Sequence, residues 1–186
     1  MPKIFIITGV PGTGKTTLLR NLSKNLSNAT FESSNKIAKE NNLFVDKDSD
    51  GSFIINLKNL KESINFFITQ HKTSKYIIIE GHLLSDIKIT NATVIVLRSH
   101  LKVLENRLKK RKYSKKKLSE NIFSEAINYC AFNANKNYKD VYELMGSKDE
   151  ILKSTLKIIK GKKIKKRTYD FINEIKQMAH NKYIWK

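Results

Sequence analysis

The run GVPGTGKT at residues 9–16 is the part of the chain whose residue types and spacing best suit a chemical task. It fits the pattern G-x-x-x-x-G-K-[ST] at every fixed position. Glycines let backbone N–H groups approach phosphate oxygens, the lysine brings a positive charge to the β- and γ-phosphates, and the threonine hydroxyl suits Mg²⁺. A short apolar run precedes the loop and an amphipathic pattern follows it, which disfavours a chance match. The sequence therefore predicts a loop that binds ATP with Mg²⁺.

Glu80 and His82 form a second candidate site, at the end of the apolar run YIII. Ligands of open α/β sheets bind beyond the carboxyl ends of the strands, where the Glu80 carboxylate is expected to emerge. We expect it to hold Mg²⁺ or a water of that ion; the alternative is a surface carboxylate at a strand end. For His82, contact with water or phosphate and simple packing remain equally open.

Arg107 and Arg111 are a third candidate, because a spacing of four places both side chains on one helical face. Phosphoryl transfer builds negative charge on the transferred group, and a guanidinium group neutralises it. The alternative is a solvated, lysine-rich helix end, since residues 107–117 contain many lysines.

Short apolar strands that alternate with helical patterns must position these residues. Continuous apolar strands separated by crossover helices predict an α/β fold, in which helices cover both faces of a parallel sheet. A chain of 186 residues suits one domain, residues 1–186. The predicted strands are residues 3–8, 30–32, 76–79 and 93–97. The predicted helices are residues 15–26, 35–41, 57–70, 101–108, 118–144, 151–159 and 169–179, and residues 46–52 are predicted to form a turn.

The charge is unusual: 36 Lys and Arg against 17 Asp and Glu give a formal net charge of +19. Such a field favours polyanionic partners, nucleotides and RNA among them, although a general enrichment in Lys, Asn and Ile explains it equally well. The single cysteine, Cys130, excludes an internal disulfide and suggests a reducing compartment. No secretory signal or membrane-spanning run is visible. We expect a cytoplasmic protein, or a nuclear one if the organism is a eukaryote, with no membrane partner.

Several motifs occur together in one order: the loop at 9–16, Glu80-Gly81-His82, the VLR of residues 96–98, and residues 108–121. In that order they resemble the nuclear, coilin-interacting adenylate kinase family and its archaeal relatives. The similarity extends to about residue 148, and residues 111–121 are its most specific part. The resemblance implies a P-loop kinase of nucleoside monophosphates with a small mobile lid. It also implies adenylate kinase activity (ATP + AMP to 2 ADP), together with an ATPase role in small ribosomal subunit assembly beside a small-subunit ribosomal protein.

The resemblance also assigns residues. It implies a monophosphate-binding region at about residues 33–56, a lid at about 110–120 and a basic helical extension at about 151–186. The motifs and the resemblance together give Lys15, Arg111, Glu80 and His82 as the candidate catalytic residues, and the motifs give Thr16 and Glu80 as the candidate Mg²⁺ ligands. The implied ATP-binding residues are Gly12, Thr13, Gly14, Lys15, Thr16, Thr17, Arg111 and Lys148.

Four positions depart from the pattern of the family. Lys39 replaces a common arginine and loses its bidentate grip on phosphate. Lys36 replaces an acidic residue, Lys112 replaces a glycine of the lid hinge, and Glu80 replaces an aspartate. These departures affect AMP phosphorylation more than ATP binding, so the alternative function is a nucleotide-switched assembly ATPase with little kinase activity. The basic run at residues 160–167 fits ribosomal RNA and a solvated linker equally well.

Overall fold

The computed structural model describes residues 1–47 and 53–180. A five-stranded, wholly parallel sheet forms the centre of the protein, and a two-stranded antiparallel hairpin forms a second sheet. The strands are β1 (Lys3–Thr8), β2 (Ala29–Ser33), β3 (Phe44–Lys47), β4 (Phe53–Ile55), β5 (Tyr76–Glu80), β6 (Ala92–Leu97) and β7 (Asp140–Leu144). The helices are α1 (Lys15–Ser23), α2 (Ser34–Glu40), α3 (Leu57–Gln70), α4 (Leu101–Lys110), α5 (Lys115–Ala126), α6 (Tyr129–Asn137), α7 (Lys148–Ile159) and α8 (Ile172–His180), with a 3₁₀ turn at His82–Ser85.

The sheet has the order β2-β5-β1-β6-β7, which places β1 at its centre. Helices cover both of its faces. Because side chains alternate along each central strand, they contribute to two separate cores, one on each face. On one face Leu60 and Ile64 of α3 pack with residues of α2, α4 and α6. On the other face Leu22 of α1 and Ile159 of α7 pack against the strands. The α/β fold predicted from the sequence is confirmed.

The register brings the loop after β1 next to the end of β5, since Ile7 is paired with Glu80. On the other side of β1, Thr8 is paired with Val96 of β6. The loop at residues 9–16 and the ends of β5 and β6 therefore meet at one edge of the sheet. This edge is where the sequence predicts ligands.

Most predicted elements are confirmed, and the bounds of β1 and α3 agree with the prediction. Helix α1 ends at Ser23, three residues before the predicted end. Of the predicted turn at residues 46–52, Asp46 and Lys47 lie in β3, while residues 48–52 lie outside the described residues.

The single helix predicted over residues 118–144 is wrong. The structure divides this segment into α5, α6 and the edge strand β7. Asn128 lies between the two helices in the left-handed conformation, with φ 60°, which ends the helical hydrogen-bonding pattern. Val141 and Leu144 turn inward as residues of a strand that pairs with β6, so long-range pairing overrides the local helical spacing.

The C-terminal part of the chain returns to the body of the protein. The basic run at residues 160–167 has no helix or strand, and its Lys166 pairs with Asp140 of β7 at 3.0 Å. The chain then reaches the α4–α5 region, where Phe171 is buried against Leu101 and Ile122. Within the described ranges, no helix combines the length and the apolar character needed to cross a bilayer.

Candidate active site

The loop between β1 and α1 has the backbone geometry of a phosphate-binding loop. Gly9 and Gly12 have φ angles of 135° and 94°, and the close surroundings of each exclude a side chain. A Cβ atom on Gly9 would lie 2.4 Å from the carbonyl oxygen of Leu97, and one on Gly12 would lie 2.8 Å from a methyl group of Leu104. The glycines thus let the loop lie against the end of β6 and against α4. Helix α1 begins directly after the loop, so its positive dipole end faces the same edge.

Lys15 turns its ammonium group back over the loop. Its Nζ donates hydrogen bonds to the carbonyl oxygens of Gly9, at 2.8 Å, and Val10, at 3.1 Å. Burial lowers the pKa of Lys15, and the negative charge of Glu80 opposes that shift. A buried cation held by carbonyl dipoles is strongly attracted to an anion that enters the site, because the anion replaces its lost hydration. Phosphate oxygens at this loop would fulfil that role.

Thr16 and Glu80 are joined although they are 64 positions apart in the chain. The Thr16 hydroxyl donates to Oε1 of Glu80 at 3.2 Å, and Glu80 is only 6% exposed at the end of β5. A hydroxyl and a carboxylate are hard oxygen ligands, and Mg²⁺ normally completes such a partial set with water and phosphate oxygens. The described residues contain no group of three or more His, Cys, Asp or Glu that could hold a metal by themselves. The pair therefore fits a Mg²⁺ ion that arrives with a nucleotide.

A cavity of about 400 Å³ opens beside the loop. Its walls bring together parts of the chain that are far apart in sequence: the loop, the end of β6, helix α4 and the connection from β7 to α7. Arg107 joins two of these walls, since its Nη1 donates to the carbonyl oxygen of Gly12 at 3.2 Å. The residues predicted to bind ATP that line the cavity are Gly12, Thr13, Gly14, Thr17, Arg111 and Lys148.

Comparison with known proteins agrees with this geometry. Residues 5–128, about two thirds of the chain, match the family described as AAA domain. The chain belongs to this P-loop family. It also belongs with a group of archaeal proteins that share most of its length. A protein of Methanocaldococcus jannaschii named "Putative adenylate kinase" is 30% identical over 89% of this chain and 90% of its own. A protein of Archaeoglobus fulgidus with the same name is 29% identical over 92% and 93%.

Solved structures extend the likeness of this P-loop protein to more distant kinases. A shikimate kinase from Bacteroides thetaiotaomicron superposes with a TM-score of 0.55 at 16% identity, over 85% of this chain and 98% of that one. A shikimate kinase from Acinetobacter baumannii, solved with shikimate, gives a TM-score of 0.52 at 14% identity, over 89% and 96%. At such low identity the likeness shows a shared P-loop kinase fold.

His82 lies beside the phosphate-binding loop, in the 3₁₀ turn after β5. Its carbonyl oxygen accepts a hydrogen bond from the Thr8 hydroxyl at 3.2 Å, which ties the turn to the end of β1. Burial, with the positive charges of Lys15 and Lys117, lowers the pKa of His82 to about 4. The imidazole is therefore neutral at pH 7. Both roles predicted for it, contact with water or phosphate and simple packing, stay open.

The region predicted to bind the monophosphate begins with helix α2, which packs closely on the strand end that carries Glu80. A Cβ atom added to Gly81 would lie 1.9 Å from Oγ of Ser34, the first residue of α2. Lys39 is exposed on this helix. Lys36 is held by its neighbours, since its Nζ lies 2.7 Å from Glu32 and 3.7 Å from Glu40. Lys39 is therefore better placed than Lys36 to meet an incoming anion.

The predicted lid consists of the turn between α4 and α5 and the first half of α5. Arg111 follows the last residue of α4, and Lys112 adopts a left-handed conformation with φ 56°. The Ser114 side chain caps α5 through the backbone N–H of Lys117. A lysine thus occupies a conformation that glycine adopts without strain. The role of residues 110–120 as a lid remains a prediction.

Sequence reasoning missed a buried network behind the cavity, centred on Arg98. The Arg98 Nε donates to Glu125 of α5 at 3.0 Å, and its Nη1 donates to Glu143 of β7. Its guanidinium carbon also lies 4.9 Å from the centre of the Phe171 ring. Burial raises the pKa of Glu125, while the positive charge of Arg98 lowers it. An arginine directly after an apolar strand was the available signal, but its partners lay in the segment mistaken for one long helix.

Proposed function

We propose that this protein is an ATP-dependent nucleoside monophosphate kinase that converts ATP and AMP to two ADP. One observation carries the proposal: the Lys15 ammonium lies against the phosphate-binding loop, the Thr16–Glu80 pair adjoins it, and Arg107 and Arg111 border the cavity that the loop lines. This arrangement suits phosphoryl transfer, which depends on positioning and on neutralising charge. The names of the archaeal relatives support the same activity.

The cavity would hold the nucleoside of ATP, while the loop holds its phosphates. Lys15 would exchange its two carbonyl partners for phosphate oxygens, and Arg111 would neutralise charge on the transferred group. Thr16 and Glu80 would hold Mg²⁺, which would supply positive charge to neutralise the phosphates. The acceptor phosphate attacks directly, so no protein nucleophile is needed. We propose that residues 33–56 present the acceptor and that residues 110–120 close over the phosphates and exclude water.

A coupled assay of ADP formation, with and without AMP, tests this proposal. We expect AMP to stimulate ADP formation strongly in the unaltered protein, and Lys15→Ala to lower the rate about 100-fold or more, the loss typical of removing one transition-state donor. Lys24→Ala is the matched control, because it removes the same charge from the exposed C-terminal end of the same helix. If Lys15→Ala and Lys24→Ala keep equal rates, the assignment of the loop is wrong.

A second function is proposed for the same nucleotide site: an ATPase in small ribosomal subunit maturation, with a small-subunit ribosomal protein and ribosomal RNA as partners. The net charge of +19 and the exposed lysines of the basic run at residues 160–167 favour it. The same assay separates the two functions. Stimulation by the ribosomal protein or by an rRNA fragment, but not by AMP, supports the ATPase. A steep decrease of RNA affinity with salt would identify phosphate contacts.

A further inference from the structure

Helix α4 forms one wall of the cavity that is proposed to hold ATP, called the donor cavity below. The first turn of this helix has no cap of its own. Its N-cap residue, His100, makes no side-chain hydrogen bond to the helix, and no acidic residue lies in the first turn. A helix start normally needs an acceptor for its free N–H groups and gains from a negative charge nearby. Both His100 and Val103, in the first turn, border the cavity. The position of this turn therefore affects the shape of the cavity.

The missing cap is supplied by Glu174 of helix α8, 73 positions further along the chain. Its Oε2 accepts the backbone N–H of Leu101 at 2.7 Å, and its Oε1 lies 2.7 Å from Nδ1 of His100. The carboxylate thus occupies the place of an N-cap side chain and brings the negative charge that the first turn lacks. Helix α8 has its own cap, since Asp170 accepts the backbone N–H of Ile172 at 2.8 Å. Glu174 is therefore free to serve α4.

The segment that carries Glu174 is fixed at its base by Phe171. This ring is 1% exposed, lies over Arg98 and packs with Leu101, Ile122 and Ala126. It thereby contacts the end of β6, the start of α4 and helix α5. Arg98 and α4 border the donor cavity directly, and α4 and α5 flank residues 111–114. One C-terminal segment thus contacts both helices that flank the turn at residues 111–114.

We propose that Glu174 is a positioning residue of the donor-nucleotide site, which acts through the first turn of α4. The inference rests on the proposed function, since the cavity is taken to be the place of ATP. Loss of the carboxylate would let the first turn of α4 move, and the cavity would then fit the nucleotide less well. Among the described residues, the carboxylate of Glu174 bonds to His100 and Leu101, which belong neither to the loop at residues 9–16 nor to the acceptor region. The effect should therefore fall on ATP and spare AMP.

The test compares Glu174→Ala, Glu174→Gln and the control Asp170→Ala in the full chain, with a fluorescent N-methylanthraniloyl ATP as the probe. Asp170→Ala removes the cap of α8 but no contact with α4, so it measures fraying of α8 alone. We expect the dissociation constant to rise about tenfold in Glu174→Ala and to stay within twofold of the unaltered protein in Asp170→Ala. Glu174→Gln keeps an oxygen acceptor for Leu101 and should lie between the two.

The kinetic readout separates positioning from stability alone. In Glu174→Ala the KM for ATP should rise about tenfold, while the KM for AMP changes less than twofold, at a temperature well below the melting transition. Equal dissociation constants for Glu174→Ala and the unaltered protein would overturn the inference, and so would an equal rise in both KM values. If the unaltered protein does not bind the probe at all, the proposed function itself fails.

Discussion

Gly81 is the position where adding one methyl group should disturb the molecule most informatively. Its backbone is extended, with φ 168°, so the conformation itself accepts any residue. The surrounding space, however, is too small for a side chain. An added Cβ would lie 1.9 Å from Oγ and 2.9 Å from Cβ of Ser34, which is 2% exposed. The Ser34 hydroxyl can rotate away, but its Cβ cannot; ordinary contacts between heavy atoms lie near 3.5–4 Å, so α2 would have to move by about 0.6–1 Å. We predict that Gly81→Ala destabilises the protein mainly through this crowding against Ser34.

The expected loss for Gly81→Ala is about 3 kcal/mol, the upper part of the range for an overpacked site. For a chain of this size it lowers the melting temperature by about 6–12 °C. Because Ser34 begins α2, which opens the predicted acceptor region, the KM for AMP should rise while that for ATP changes little. Thermal and urea unfolding measure the first effect, and steady-state kinetics measure the second.

A double-mutant cycle with Ser34→Gly identifies the cause. Ser34→Gly alone should cost about 1 kcal/mol, as a glycine in a short helix. It also removes the two Ser34 atoms that lie nearest to the new methyl group and leaves only Leu84 Cγ, at 3.3 Å. The double variant should therefore be more stable than Gly81→Ala, with a coupling energy of about 2 kcal/mol. Gly161→Ala is a contrasting control, since nothing lies within 4 Å of its added Cβ and only its φ of 74° opposes it. If the losses of stability caused by Gly81→Ala and Ser34→Gly add in the double variant to within about 0.5 kcal/mol, the steric reasoning is refuted.

Three further predictions concern the lid turn, the turn after β5 and the buried network. Lys112→Gly should raise the melting temperature by about 2 °C. The left-handed conformation of a lysine costs about 1–2 kcal/mol, which glycine avoids, although glycine also increases the entropy of the unfolded chain. A lower melting temperature would contradict this. The folded-state pKa of His82, about 4, lies below its ordinary value, so stability should fall by on the order of 3 kcal/mol as the pH falls from about 6.5 towards 4. His82→Gln should lack this part of the loss, and parallel melting curves against pH would refute it. Arg98→Met should cost about 3–5 kcal/mol at pH 7, because Glu125 and Glu143 lose their cation. Part of that loss should be regained as the pH is lowered and Glu125 takes up a proton, whereas an unchanged pH dependence would count against the network.

The sequence predicts best where the signal is local. Strand β1 and helix α3 carry unbroken apolar or helical patterns, and both are found at their predicted bounds. The segment 118–144 shows the opposite case, because its apolar spacing suits a helix as well as a strand. Its last residues become β7 only because β6 offers an unpaired edge, where Thr93 meets Asp140 and Leu97 meets Leu144. No window of local sequence contains that edge.

The same limit applies to the candidate site. The phosphate-binding loop could be recognised from the sequence because all of its residues lie within eight positions. The walls of the cavity could not be recognised in the same way, since Arg98 and Met145 reach the cavity only after β6 and β7 have paired. Arg111 and Lys148 were assigned to ATP by resemblance, and the structure places both in that cavity. Glu174 gave no signal at all, because an acidic residue in a basic C-terminal segment looks like any other solvated charge.

The contacts that surround the loop explain how one P-loop fold can serve different reactions. Among the described residues, hydrogen bonds join distant parts of the chain near the loop, such as Thr16 to Glu80 across 64 positions, Arg107 to Gly12 across 95, and Leu101 to Glu174 across 73. Each involves a side chain whose loss would leave the strands and the core clusters intact. Substitutions at these partners should therefore alter nucleotide affinity or acceptor choice with little effect on the fold. Substitutions at Gly9 or Gly12 should disturb the fold itself, because backbone or core atoms occupy the space that a side chain would need. Activity in this family should consequently depend more on these long-range partners than on the loop that identifies it.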